Sequence, residues 1–316
     1  MNRTLRANLL LLLTAFIWGV AFVAQDIAMD SLPPFAFNGI RMAVAGLVMI
    51  PCIAFLDRRN KIRGNLWAQC EPPRQSHQRH LREERSAYES RLVVVGGLCC
   101  GVALFGGSAF QQLGIRDSTP GKAGFVTTLY IVLVPLAGLL RDRRIRISLW
   151  LAVALSGIGL FLLCFTDRFT IATGDLYLVF GAVFFTAHIL LVDHFAPRVD
   201  CARLSCVQFF ITAILCLPVA ALFEQPTWQG IWDGFLPILY TGALSGAVGY
   251  TLQMVAQRDT SPTVASLLMC LESVFAVLAG WALLGHTLTL RELSGCAAMM
   301  GGIVLAQLPW KEKLQV

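Results

Sequence analysis

Gln111–Leu140 reads QQLGIRDSTPGKAGFVTTLYIVLVPLAGLL, and Gln253–Ala282 reads QMVAQRDTSPTVASLLMCLESVFAVLAGWA. Aligned without a gap at an offset of 142, ten of the thirty positions are identical: Gln111/Gln253, Arg116/Arg258, Asp117/Asp259, Pro120/Pro262, Ala123/Ala265, Leu129/Leu271, Val132/Val274, Leu136/Leu278, Ala137/Ala279 and Gly138/Gly280. Ser118/Thr260 and Thr119/Ser261 exchange one hydroxyl for another. Such a match points to duplication, which has to be recognised before any other feature is read. In both copies a hydroxyl residue followed by Pro predicts the start of a helix, with Ser or Thr as N-cap and Pro at the first position.

Around this stretch the chain is apolar throughout. Its 316 residues are 56% hydrophobic and 14% charged, with a mean hydropathy of +0.67. Soluble domains carry about 25% charged residues, so a large soluble domain is excluded. The net charge of +6 sits between apolar runs, which speaks for membrane topology and against nucleic acid. Nearly all of the ten cysteines fall in apolar runs without a C-x-x-C, and read as small packing residues.

A spanning helix needs about 20 mostly apolar residues. Ten segments qualify: Ala7–Gln25, Pro34–Leu56, Leu92–Ile115, Gly121–Leu140, Ile147–Phe165, Gly174–Val192, Leu204–Phe223, Trp232–Gln257, Pro262–Leu284 and Leu293–Leu308. The first, despite Arg3 and Arg6 before it, is longer than the roughly 7–15 residues of a signal-peptide core, and is read as a retained helix. Asp57–Arg91 is expected to lie outside the bilayer and to be partly disordered, with a short helix over His80–Ser90.

A fainter match at an offset of 167 lays Leu13–Pro51 on Phe180–Pro218, including Ala15/Ala182 and Pro51/Pro218. Together the matches predict an all-α integral membrane protein of ten transmembrane helices, built as two five-helix repeats, residues 1–166 (with the cytoplasmic loop 57–91) and 167–316. An odd-numbered unit copied within one chain must enter the membrane in opposite orientations, which gives an inverted repeat. With both termini cytoplasmic, 20 of the 25 Lys and Arg fall inside, and Arg116, Lys122, Arg168 and Arg291 fall outside.

Polar residues inside apolar runs are the candidate site, because an ionisable group at mid-helix costs roughly 2.5–3.5 kcal/mol on insertion scales. Glu272 lies near the centre of the ninth segment, and its counterpart at offset 142 is Tyr130, near the centre of the fourth. Two equivalent polar midplane positions suit a carrier's substrate site; the alternative is that Glu272 is a structural partner for Arg41. Arg41, one turn after Asn38, has Gln208 as its counterpart, and its stem could instead snorkel outward. His188 is either a hydrogen-bonded core residue or a proton carrier. Gln111, Gln112, Gln253 and Gln257 can bind substrate or bond neighbouring helices. Trp18 and Tyr250 can wall a cavity or anchor at the interface. Pro135 permits a static kink or a hinge. Gly114–Lys122 lacks the spacing and hydroxyl of a phosphate loop, so ATP-driven transport is unsupported. No nucleophile–base pair or metal pattern appears, and the chain does not read as an enzyme.

Three stretches carry a family resemblance: LLLLLTAFIWGVAFV (Leu9–Val23), FNGIRMAVAGL (Phe37–Leu47) and SPTVASLLMCLESVFAVLAGWALLGHTLT (Ser261–Thr289). In order and spacing they resemble the EamA-like group of the drug/metabolite transporter superfamily. Where that group often has Glu-Pro and a later acidic residue, this chain has Glu272-Ser273 and His286. The resemblance implies a basket of helices around a central cavity, with the fifth and tenth peripheral. It also implies outward movement of small organic metabolites, amino-acid-like solutes or drugs, across the cell membrane. The expectation is a secondary transporter working by alternating access; the alternative is a passive facilitator or channel. Its substrate-binding candidates are Glu272, Tyr130, Trp18, Gln112, Gln253, His188 and Arg41. The expected partners are a small-molecule substrate, the lipid bilayer, a coupling proton or other ion, and a second copy in a homodimer. No cofactor, metal or nucleic acid is expected.

Overall fold

The computed structural model describes residues 3–68, 76–116, 124, 126–140, 146–164, 173–284 and 288–307, and their side chains except at 61–87, 163–164 and 284. Among these residues every regular element is helical. In chain order they are α1 (Arg3–Met29), α2 (Pro34–Ala68), α3 (Ser76–Arg116), α4 (Tyr130–Leu139), α5 (Ile147–Cys164), α6 (Thr173–Phe195), α7 (Cys201–Phe223), α8 (Trp228–Asp233) and α9 (Phe235–Leu239). A π-helical stretch, Tyr240–Tyr250, is followed by α10 (Thr251–Gln257), α11 (Pro262–Met269), α12 (Glu272–Leu284) and α13 (Leu290–Gln307).

Among the described residues, seven spans are long and apolar enough to cross a membrane: Arg3–Met29, Pro34–Asn60, Tyr88–Arg116, Thr173–Phe195, Cys201–Phe223, Phe235–Gln257 and Pro262–Leu283. Within the fourth expected segment the described helix α4 has 10 residues, and the fifth yields the shorter apolar helix Ile147–Leu162. The tenth, α13, opens on charged Arg291 and Glu292 and is not among the seven.

Helix reaches further into 57–91 than the short stretch expected over His80–Ser90. α2 continues to Ala68 and α3 begins at Ser76, so helix flanks residues 69–75 on both sides. His77–Arg91 holds neither Gly nor Pro and is rich in Arg and Glu, which are good helix formers. Charge told against the membrane there, not against the helix.

The packing pairs segments across the two halves. α2 lies on α7 and α5 on α13, each on its own expected counterpart. α1 lies on the π stretch and α10, and its counterpart α6 lies on α3. Small residues permit these approaches: a Cβ on Gly159 would meet Gly295 O at 2.6 Å, and one on Gly39 would meet Leu217 Cδ2 at 2.6 Å. The outer surface is apolar, with Leu47, Ile214 and Val304 all exposed. The polar side chains Asn38, Arg41, Gln112, His188, Gln208, Gln253 and Glu272 are turned inward and buried. That inside-out distribution fits a multi-pass membrane protein.

Candidate functional site

Four residues of α1 open the site. Trp18, Ala21, Phe22 and Gln25 follow helical i, i+3, i+4, i+7 spacing and line one cavity together. The cavity has an empty volume of about 530 Å³, its mouth included. Its lining is completed by Arg41, Gln111, Thr127, Tyr130, Phe185, His188, Ile189, Ser245, Tyr250, Gln253, Met269 and Glu272. Six of the seven expected residues are among them. Gln112 is not: it is buried behind the wall and donates to Gln25 Oε1, while its neighbour Gln111 takes the lining position.

Glu272 and Tyr130 touch. The Tyr130 hydroxyl donates to Glu272 Oε1 at 2.9 Å, across the same 142 positions that separate the repeats. Both follow a tightened turn of backbone. Thr128 N donates to Gly124 O, and Cys270 N to Ser266 O. Leu129 N donates to Val126 O, and Leu271 N to Leu268 O; Ile131 N donates to Thr128 O, and Ser273 N to Cys270 O. The dihedrals stay helical, with Leu129 at φ −56°, ψ −14° and Cys270 at φ −62°, ψ −14°, so the turn is a 3₁₀ step that ends one helix and starts the next. Glu272 therefore stands at the start of α12, where helix dipoles favour a carboxylate. The Ser273 N–H, which a proline would lack, closes this turn. Upstream, Ser261 is the N-cap as expected, accepting from Val264 N with Pro262 following; Thr119-Pro120 lies outside the described residues.

Arg41 faces the same cavity but is not paired with Glu272. Its Nε donates to Asn38 Oδ1 at 2.8 Å and its Nη1 to Gln25 Oε1 at 3.0 Å, while Asn38 Nδ2 donates to Ser108 O. Gln25, which sequence reasoning did not single out, is the hub of this network. It lies seven residues after Trp18, on the same helix face. On the opposite side His188 Nε2 is 3.0 Å from Gln208 Oε1, so the counterpart of Arg41 also reaches a residue of the neighbouring helix. The Trp18 and Tyr250 rings lie 4.7 Å apart, and His188 meets Tyr250 edge-on at 5.6 Å. Gln253 donates to Gln257 Oε1, leaving its own buried Oε1 without a partner, as is Thr127 Oγ1.

The cavity thus presents a carboxylate, a guanidinium and an aromatic wall within one enclosure. Those groups can hold a small solute by charge and stacking. Among the described residues no group of His, Cys, Asp and Glu is placed to hold a metal ion.

Known proteins agree with this architecture. A crystal structure of a protein 19% identical in sequence superposes with a TM-score of 0.73, covering 95% of this chain and 96% of that one. An uncharacterized transporter of Archaeoglobus fulgidus is 29% identical over 311 residues, covering 97% of this chain and 87% of its own. The uncharacterized transporter YwfM of Bacillus subtilis is 25% identical, covering 97% and 95%. The uncharacterized inner membrane transporter YedA of Escherichia coli K12 is 23% identical, covering 92% and 87%. The EamA-like transporter family model matches residues 5–165 and 172–308, and the chain belongs to that family.

Proposed function

We propose that this chain is a secondary carrier that exports small organic metabolites, amino-acid-like solutes or drugs, across the cell membrane by alternating access, with Glu272 at its binding site. Ten helices cross the bilayer as two inverted five-helix repeats, both termini cytoplasmic. The observation that carries the reading is the Tyr130–Glu272 hydrogen bond, which joins two counterpart positions at the heart of the cavity. The matched 3₁₀ turns before each and the two-part family match support the duplication behind it. Interrupted helices meeting at a midplane site are how inverted-repeat carriers expose backbone and side chains to a solute. Glu272 binds the cationic group of the solute or exchanges it for a proton, and Arg41, held by Gln25 and Asn38, offers the opposite charge.

The test begins with a thermal-shift screen of the purified protein against pooled metabolites. A ligand at 100 times its dissociation constant adds about 2.7 kcal/mol to native stability. The hit is then loaded into proteoliposomes. A carrier accelerates uptake when solute is present on the far side, whereas an open channel shows no counterflow. Glu272→Gln abolishes both the shift and the counterflow; a variant that keeps transport and its pH dependence removes Glu272 from the mechanism.

A further inference from the structure

Two pairs of glycine contacts measure the second half against the first. A Cβ on Gly101 would lie 3.0 Å from Gln208 O and 2.7 Å from Ile211 Cβ; one on Gly242 would lie 2.8 Å from Arg41 O and 2.8 Å from Val44 Cγ1. Arg41 and Val44 precede Gln208 and Ile211 by the repeat offset of 167, so this is one contact made in both halves. Farther along, a Cβ on Gly107 would lie 2.9 Å from Phe185 Cδ1, and one on Gly249 2.6 Å from Trp18 Nε1. Trp18 and Phe185 are again 167 apart. Yet Gly107 follows Gly101 by six positions, while Gly249 follows Gly242 by seven. The second half holds one extra residue between the same two contacts.

The extra residue falls where the backbone is π-helical, Tyr240–Tyr250, whereas Gly101–Gly107 lies within α3. A π-helical turn absorbs an added residue without rotating the helix beyond it. α1 supplies side chains that meet the widened turn. Trp18 Nε1 donates to Ser245 O at 3.1 Å, and Thr14 Oγ1 reaches Gly249 O at 3.4 Å as well as Leu10 O. Their counterparts on α6 are Phe185 and Gly181, neither of which has a side-chain donor. The insertion also decides which side chains share a face. In an α-helix residues five apart point about 140° away from each other; i→i+5 bonding brings them onto one face, as i→i+4 bonding does for residues four apart in an α-helix. Ser245 and Tyr250 are five apart, and both line the cavity.

We infer that a one-residue insertion in the second half, held π-helical by Trp18 and Thr14, places Ser245 beside Tyr250 on the cavity wall, making Ser245 a solute-contact residue and Trp18 its positioning residue. Only the word solute rests on the carrier reading. The insertion makes an otherwise paired enclosure unequal on its two sides, so a bound solute meets one polar, aromatic wall and not two.

Deletion tests this without any transported substrate. Removing Ala243 takes out the insertion and restores the first-half spacing; removing Ala103 takes the same number of residues from the equivalent α-helical stretch. The Ala243 deletion is expected to purify as a monodisperse protein with a Tm within a few degrees of the parent, and the Ala103 deletion to aggregate. Trp18→Phe lowers the Tm of the parent and leaves that of the Ala243 deletion unchanged, because an α-helical ladder no longer turns a carbonyl toward the indole. Ser245→Cys is labelled by methanethiosulfonate ethylammonium in the full chain, read on its own peptide by mass spectrometry, and the labelling falls several-fold in the Ala243 deletion. Equal damage or equal tolerance of the two deletions overturns the insertion. Additive Trp18→Phe effects overturn its positioning role, and unchanged labelling overturns the placement of Ser245. These readouts stand or fall apart from the counterflow assay.

Discussion

Gly19→Ala is the sharpest test of how the site is built. α1 crosses the start of α12 so closely that a Cβ on Gly19 would lie 2.4 Å from Phe275 Cβ, 2.7 Å from Glu272 O and 2.8 Å from Ala276 N. Two of these are backbone atoms, so no side-chain rotation relieves the overlap. Non-bonded carbons rest about 3.5–4.0 Å apart, so the helices must separate by roughly 1 Å. Overpacking of this kind costs typically 1–3 kcal/mol. Against it stands a gain of about 0.8–1.0 kcal/mol in helix propensity from Gly to Ala. Gly157 is the internal control: a Cβ there meets nothing within 4 Å, so Gly157→Ala keeps the propensity gain without the clash. Thermal unfolding in detergent should place Gly19→Ala a few degrees below the parent and Gly157→Ala at or above it. Because the carbonyl pushed away belongs to Glu272, Gly19→Ala should also weaken binding of any ligand found in the screen. If the two alanine variants unfold at the same temperature, the close α1–α12 crossing is wrong.

Further outcomes follow from the same geometry. Tyr130→Phe and Glu272→Leu break one hydrogen bond from either end, so each alone should cost about 1–3 kcal/mol and the double variant less than their sum, read by a thermal double-mutant cycle. Arg203 donates to both carboxylate oxygens of Asp57 at 2.9 and 3.0 Å, but both side chains are half exposed; Arg203→Ala should therefore cost about 1 kcal/mol or less and leave transport unchanged. Glu224 caps a foreign helix, accepting from Phe35 N at 3.0 Å and Ala36 N at 2.8 Å; Glu224→Ala should cost about 0.5–2 kcal/mol and raise amide exchange at the start of α2.

The helical, membrane-embedded class was legible because hydropathy and period carry it over long runs. Polar residues in those runs were legible for the opposite reason: Glu272, Tyr130, His188 and Arg41 stand out against lipid cost, and all four face one cavity. Three features were hidden. The 3₁₀ step at Cys270–Leu271 has no Gly or Pro, and its dihedrals remain helical, so nothing local announces it. Gln25 sits at the tail of an apolar run, where a glutamine reads as an interface residue; only its place opposite Arg41 makes it a hub. The π insertion lies upstream of Gln253, just outside the ungapped match, and would have needed a one-residue gap in an already faint alignment. Gln112 and Gln111 were indistinguishable because neighbours on a helix differ only by rotation, which packing settles.

On the carrier reading, the Tyr130–Glu272 hydrogen bond has a particular property: it joins a residue to its own counterpart. When two inverted repeats exchange conformations, each residue takes up the surroundings its counterpart had before. A contact between a residue and its own counterpart maps onto itself, so Tyr130 and Glu272 stay together whichever side the cavity faces. The Trp18–Tyr250 contact does not: its image is Phe185 against Ser108, a different pair with different chemistry. The aromatic wall therefore belongs to what changes, and the carboxylate to what persists. From such a position a single carboxylate serves both orientations, although its counterpart is a tyrosine.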